Sequence, residues 1–283
     1  MNPDALPPLR VALADSGILA DKRFGQHFLL DLNICRKIVR LSEIRAGDTV
    51  VEVGPGPGGL TRALLEAGAR VVAIEKDPRF RPLLDEVAAA SEGRLTVVEA
   101  DALKVDETPL AGGPAAVVAN LPYNVGTPLL VKWLTGPFRP TSMTLMFQKE
   151  VALRIVSQPG EEHFGRLAVL SQALCDARLV MDLPARTFTP PPKVDSAVVR
   201  LEPLAQRPAD PLIAALQTVA RAAFGQRRKM LRSSLRSLGG EALCSRADID
   251  PNVRAETVPV SGFLALAAVL TAGVGHEPPR LDG

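Results

Sequence analysis

The sequence predicts an α/β protein with a mostly parallel sheet, followed by a small all-helical C-terminal domain. Three observations carry that expectation. Between positions 49 and 148, short runs rich in Val and Ile alternate with stretches of helical periodicity, the pattern of parallel βαβ units. The first such unit contains Gly54-Pro55-Gly56-Pro57-Gly58-Gly59, a glycine loop between a strand and a helix. Three prolines then interrupt residues 202–211, and beyond them apolar residues recur at helical spacing.

Taken in order, residues 49–53 form the first predicted strand. Leu60, Ala63, Leu64 and Ala67 fall on one face of a helix that Gly68 closes. Residues 71–74 supply a second strand, and the helix over residues 78–90 carries proline in its first turn, where a missing N–H is harmless. Residues 95–98, 115–119 and 143–147 are the third, fourth and fifth strands. Such a sheet binds ligands at the carboxyl ends of its strands. Gly54, Glu75, Asp101 and Asn120 all stand at or just after those ends. Beyond Gly165 a mixed region leads to the stiff segment Thr187-Phe188-Thr189-Pro190-Pro191-Pro192-Lys193 and a further strand over residues 196–201. The linker at 202–211 divides the chain into a domain over residues 1–204 and one over 205–283. In the second, Leu212, Leu216, Val219 and Ala223 share a helical face, and another apolar helix covers residues 263–270.

Composition narrows the class of protein. The 283 residues are 47% hydrophobic, enough for ordinary cores, and 33 basic against 31 acidic residues leave a net charge of +2. Overall charge therefore neither demands nor excludes a nucleic-acid partner. Cys35, Cys175 and Cys244 are far apart and odd in number, and His27, His163 and His276 form no cluster, so neither a disulfide framework nor a zinc site is expected. The N-terminus lacks the basic start and apolar core of a signal peptide, and no segment reaches the roughly 20 apolar residues of a membrane span. The expectation is a reduced, cytoplasmic, soluble protein in which nothing requires more than a monomer.

The glycine loop lets the chain turn tightly and lets a ligand approach its backbone. Glu75, twenty-one positions after Gly54, can accept both hydroxyl protons of a ribose. Together they mark an adenosine-containing cofactor without saying which one. A dinucleotide loop presents backbone N–H groups to a pyrophosphate, and Pro55 and Pro57 lack those donors. A cofactor without phosphates, such as S-adenosylmethionine, needs none of them. Asp101-Ala102 can then accept from the cofactor's adenine amine, although an aspartate after a strand is also an ordinary capping or turn residue.

Asn120-Leu121-Pro122-Tyr123 ends the fourth strand with an amide, a rigid turn and an aromatic ring. An adenine amine is a poor nucleophile because its lone pair is delocalised into the ring. A site that alkylates it gains by accepting the amine's hydrogen bonds. Asn120 offers an amide oxygen, the Leu121 carbonyl a second acceptor on backbone that Pro122 biases toward extension, and Tyr123 a face for the base. An ordinary strand-to-loop turn has a similar composition.

With these motifs in place, the sequence resembles the ribosomal RNA adenine N6-dimethyltransferase family, specifically its bacterial small-subunit members, through nearly its whole length. The shared blocks are Lys22-Arg23-Phe24-Gly25-Gln26-His27-Phe28-Leu29, Val51-Glu52-Val53-Gly54-Pro55-Gly56, Asn120-Leu121-Pro122-Tyr123-Asn124, Phe147-Gln148-Lys149-Glu150, Phe188-Thr189-Pro190-Pro191-Pro192-Lys193-Val194-Asp195-Ser196 and Phe224-Gly225-Gln226-Arg227-Arg228-Lys229. The resemblance implies a Rossmann-like S-adenosylmethionine-dependent methyltransferase core with a mostly parallel seven-stranded sheet, plus a small helical C-terminal domain. It implies that Gln26, His27 and Leu29 close over S-adenosylmethionine and that Gly54 and Gly56 line its methionine end. Glu75, beside Lys76, takes the ribose hydroxyls, Asp101 and Ala102 the adenine, and Asn120 both cofactor and target amine. His27 stands where relatives often carry Asn, and by itself it reads as a helix-start or packing histidine. Similarity to the family also sets Phe188 against the target adenine opposite Tyr123, whereas a Phe before three prolines reads equally as a core anchor for a rigid loop.

The implied reaction is dimethylation of N6 on two adjacent adenines in the loop of the 3′-terminal helix of small-subunit rRNA, within a precursor of that subunit. Unpaired loop adenines enter a pocket at lower cost than bases in a duplex. Arg221, Arg227, Arg228, Lys229, Arg232 and Arg236 concentrate positive charge with no acidic residue between positions 221 and 236, which points to phosphate contact rather than a merely solvated face. Lys22, Arg23, Arg154 and Arg166 are further basic candidates. Two rivals remain: a methyltransferase for another amine, such as DNA adenine or large-subunit rRNA, and an assembly factor that kept the fold without turnover.

Overall fold

A computed structural model of the chain describes residues 6–21, 25–226 and 228–274. Its strands are β1 (Phe28–Leu29), β2 (Thr49–Val53), β3 (Arg70–Glu75), β4 (Leu95–Glu99), β5 (Ala115–Asn120), β6 (Met143–Gln148), β7 (Cys175–Leu183), β8 (Phe188–Thr189) and β9 (Ser196–Pro203). Seven of them form one sheet in the order β4-β3-β2-β5-β6-β9-β7, and β1 and β8 form a separate antiparallel pair. The pairs β2–β3, β3–β4, β2–β5 and β5–β6 are parallel, while β9 runs antiparallel to β6. The sheet is thus mostly parallel and seven-stranded, as expected for a Rossmann-like core.

Its order explains where a ligand goes. From β2 the chain winds outward through β3 to β4, then returns to place β5 on the other side of β2. Connections leaving β2 and β5 diverge, so a crevice opens at their carboxyl ends. Gly54 follows β2 and Asn120 ends β5. The strands around this point are covered on both faces. Val50, Val51, Val71, Ala73, Ile74, Val117, Val118 and Leu145 are at most 1% exposed, and each such aliphatic side chain larger than Ala stabilises the fold by about 1.5–3 kcal/mol. The helix Leu32–Ser42 adds Cys35, Ile38 and Val39 to this core and packs on the helix Gly59–Glu66. Asp31 caps it by accepting the Asn33 N–H at 2.8 Å.

The chain divides into two compact units, Met1–Ala152 with Ala177–Pro203, and Leu153–Asp176 with Leu204–Gly283. The division differs from two consecutive domains over 1–204 and 205–283, because Leu153–Asp176 folds with the C-terminal helices. The reason is apolar packing. Helix Arg166–Leu174 buries Ala168, Val169, Leu170, Ala173 and Leu174 and packs on helices Asp210–Phe224 and Val260–Val274. Phe224 joins them with ring centroids 6.0 Å from Phe164 and 5.4 Å from Phe263. In helix Asp210–Phe224 the buried face runs through Ile213, Leu216, Val219, Ala220 and Ala223, so Ile213 takes the place expected of Leu212, which is half-buried. No helix among the described residues is long and apolar enough to cross a membrane.

Candidate active site

The turn after β2 depends on two glycines in the left-handed region, Gly54 at φ 69° and Gly56 at φ 54°. Gly56 presents its N–H to Glu75 Oε2 at 3.0 Å, and the Asp77 N–H donates to Glu75 Oε1 at 2.8 Å. Glu75, at the tip of β3, is 8% exposed. Burial pushes its carboxyl above the ordinary value, and the two backbone donors oppose that rise. Each carboxylate oxygen carries a second lone pair, so the group can still accept a diol. Asp77 in turn accepts the Gln26 side-chain N–H at 2.8 Å, which ties the segment before β1 to the end of β3.

Asp101 lies past β4. Its Oδ1 accepts the Leu103 N–H at 3.0 Å and its Oδ2 meets Lys76 Nζ at 2.9 Å. The Lys76 ammonium, followed by the Leu103 N–H, holds this carboxyl below the usual carboxylate range. The group is therefore a permanent acceptor at neutral pH.

At the tip of β5, Asn120 Nδ2 donates to the His27 carbonyl at 3.2 Å. One N–H of the amide is thereby given to the protein, and Asn120 Oδ1 can act as an acceptor on the cavity side. The Pro122 carbonyl accepts the Val125 and Gly126 N–H groups and opens the helix Gly126–Thr135, so the cap uses Pro122 rather than the Leu121 carbonyl before it. Tyr123 is fixed at both ends. Its hydroxyl is 2.6 Å from Ser196 Oγ, and its ring stacks on His27 with centroids 5.3 Å apart at 29°. Burial raises the phenol pKa while the Ser196 hydrogen bond lowers it. His27 Nδ1 lies 2.8 Å from the Pro190 carbonyl.

Gln26, His27, Leu29, Gly54, Gly56, Glu75, Lys76, Asp101, Ala102, Asn120, Leu121, Pro122 and Tyr123 line one cavity. Phe188 does not. Its side chain is 3% exposed and packs in the core with Leu29, Leu183 and Val198. Phe188 pairs with Leu29 between β1 and β8, an arrangement that favours the core-anchor alternative over a ring set against the target base. The basic residues Arg221, Arg228, Lys229, Arg232 and Arg236 are exposed in the second unit, as are Arg154 and Arg166. Lys22, Arg23 and Arg227 lie outside the described residues.

A buried carboxylate of the cavity was not singled out from the sequence. Glu52 on β2 is 2% exposed and lines the same cavity, accepting the Thr61 hydroxyl at 2.6 Å. Burial raises its pKa from an ordinary 4.5 to about 8; the Thr61 hydrogen bond opposes the rise and the charge of Glu75 adds to it. The available signal was a carboxylate within the otherwise apolar run Val50-Val51-Glu52-Val53.

The chain is similar to known proteins over most of its length. A family model described as Ribosomal RNA adenine dimethylase matches residues 18–272. The chain is 68% identical over 268 residues to Ribosomal RNA small subunit methyltransferase A of Phenylobacterium zucineum, with 94% of each chain covered. It is 69% identical over 255 residues to the protein of the same name from Caulobacter vibrioides, covering 90% of this chain and 99% of that one. Among solved structures, a dimethyladenosine transferase from Plasmodium falciparum superposes with a TM-score of 0.70 at 26% identity, over 85% of this chain and 96% of that one.

Proposed function

Because the chain belongs to the ribosomal RNA adenine dimethylase family, we propose that it transfers methyl groups from S-adenosylmethionine to N6 of two adjacent adenines in the loop of the 3′-terminal helix of small-subunit rRNA, acting on a precursor of that subunit. The observation that carries the reading is convergence. Glu75, Asp101 and Asn120 come from the ends of three different strands and line one cavity, with the Asn120 amide already oriented by the His27 carbonyl.

The cavity suits S-adenosylmethionine. A buried carboxylate at Glu75 matches a ribose diol, the Asp101 carboxylate matches an adenine amine, and a loop with prolines at 55 and 57 has fewer N–H groups for a pyrophosphate. Gln26, His27 and Leu29 cover the ligand, and Gly54 and Gly56 leave room at its methionine end. When bound, it supplies a methyl group activated by a sulfonium. The protein's task is then to hold an amine. Asn120 Oδ1 and the Leu121 carbonyl accept the amine's hydrogens, which draws the nitrogen lone pair out of conjugation and aims it. Tyr123, held by Ser196, supports the base face. The nitrogen loses its extra proton to water afterwards, so no strong base is needed. A second transfer requires a pocket that also accepts an amine with one hydrogen fewer.

Names of the 68% and 69% identical relatives support the small subunit over DNA or large-subunit rRNA as the substrate. The basic surface of the second unit supports phosphate contact by Arg221, Arg228, Lys229 and Arg232. Asn120→Ala tests the site directly. Turnover is expected to fall by about 10²–10³, the loss typical of one transition-state hydrogen-bonding group, with the melting temperature near that of wild type. Turnover at the wild-type rate would overturn the assignment.

A further inference from the structure

The loop that carries Asp101 is fastened from below by a side chain outside the cavity. Lys132, on helix Gly126–Thr135, donates through Nζ to the Ala102 carbonyl at 2.7 Å, to the Val105 carbonyl, and to both carboxylate oxygens of Glu107 at 2.8 Å. Glu107 is fully buried and also accepts the Trp133 indole N–H at 2.9 Å. An ammonium has three N–H groups, so four acceptors at this range use it completely. The fastening meets a loop that is already a closed turn, with the Lys104 and Val105 N–H groups on the Asp101 carbonyl at 2.8 and 3.2 Å. The same helix follows directly after the Asn120–Tyr123 turn and sends Leu129 into the cavity.

From this geometry we infer that Lys132 is a positioning residue for recognition of the cofactor's adenine, acting through the Asp101–Val105 turn. The inference rests on the proposed seating of adenine at Asp101 and Ala102. Lys132 touches no reacting atom. It fixes the Ala102 carbonyl, and with it the height at which Asp101 meets the adenine amine relative to the helix behind Asn120. A bare solvated turn would hold that carboxylate less closely, and hydrogen bonds weaken steeply with misalignment.

Lys132→Met alone would leave Glu107 buried as an unpaired charge and endanger folding. The test therefore uses Lys132→Met/Glu107→Gln, which removes both charges and keeps an oxygen for Trp133. Calorimetric affinities are measured for S-adenosylhomocysteine and for S-inosylhomocysteine, which replaces the amine by a carbonyl. Wild type is expected to prefer the adenosyl ligand. In the double variant, affinity for S-adenosylhomocysteine falls about tenfold, the equivalent of one misaligned hydrogen bond, affinity for the inosyl ligand is unchanged, and kcat at saturating cofactor is retained. Parallel weakening of both ligands, or no change in either, would overturn the role, since a purely structural ion pair predicts one of those. Wild type that binds no S-adenosylhomocysteine, or ignores the amine, would instead overturn the proposed seating of the cofactor.

Discussion

Glu52 shows how burial sets the chemistry of a single side chain. Its folded pKa of about 8 lies above the ordinary 4.5, so the native state binds the proton more tightly than the unfolded chain. The associated stability is fully present below the unfolded pKa and is lost as pH rises through about 8. Glu52→Gln keeps an acceptor for Thr61 and removes the titration. Urea unfolding from about pH 5 to pH 9 should show wild type losing up to about 1.4 kcal/mol per pH unit from this source, and the variant flatter across the same range. Equal slopes would mean that Glu52 ionises as an exposed carboxylate does. Glu75, Asp101 and Asn120, which line one cavity, were legible in sequence because each stands at or just after the end of a predicted strand, and strand ends are where such sheets bind. Glu52 was passed over, because a single carboxylate inside the apolar run Val50–Val53 does not by itself mark a site, and its burial follows from the covering of β2 on both sides.

At the scale of elements, the ribbon of β1 and β8 decides what Phe188 does. Two-residue strands are too short to show a period, so their pairing could not be read from the chain, and the Phe before three prolines left the core-anchor and base-facing readings equal. Phe188→Ala is expected to lower stability by about 3–5 kcal/mol, as for other buried aromatic truncations. Phe188→Leu should keep turnover within a few-fold. A sharp loss of turnover in Phe188→Leu with unchanged melting would return the ring to the base. The parallel strands were legible because they are continuous apolar runs separated by helical spacing. Strand β7 was not, since its residues are mostly half-buried or exposed without clean alternation. Helix Leu32–Ser42 does carry local signals, the Asp31 cap and apolar residues at positions 35, 38 and 39.

One unit holds the cavity that Glu75, Asp101 and Asn120 line, and the other carries exposed basic residues at Arg221, Arg228, Lys229 and Arg232. That the second unit draws in Leu153–Asp176 was hidden from the sequence, because the pairing of helix Arg166–Leu174 with helices far along the chain leaves no local mark. Neutralising Arg228, Lys229 and Arg232 together should weaken RNA binding and lower the slope of log affinity against log salt by about 0.7–0.9 for each phosphate that is no longer neutralised. An unchanged slope would make these residues ordinary solvated surface. The most direct measurement of the account is made on small ribosomal subunits that lack adenine methylation. They are incubated with the purified protein and S-adenosylmethionine carrying a labelled methyl group, then digested to nucleosides, with large subunits as a control. The account predicts label in N6,N6-dimethyladenosine, at two adjacent adenines of the small-subunit rRNA alone. Tight binding to the subunit without any methylated adenine, or label confined to the large-subunit rRNA, would contradict it.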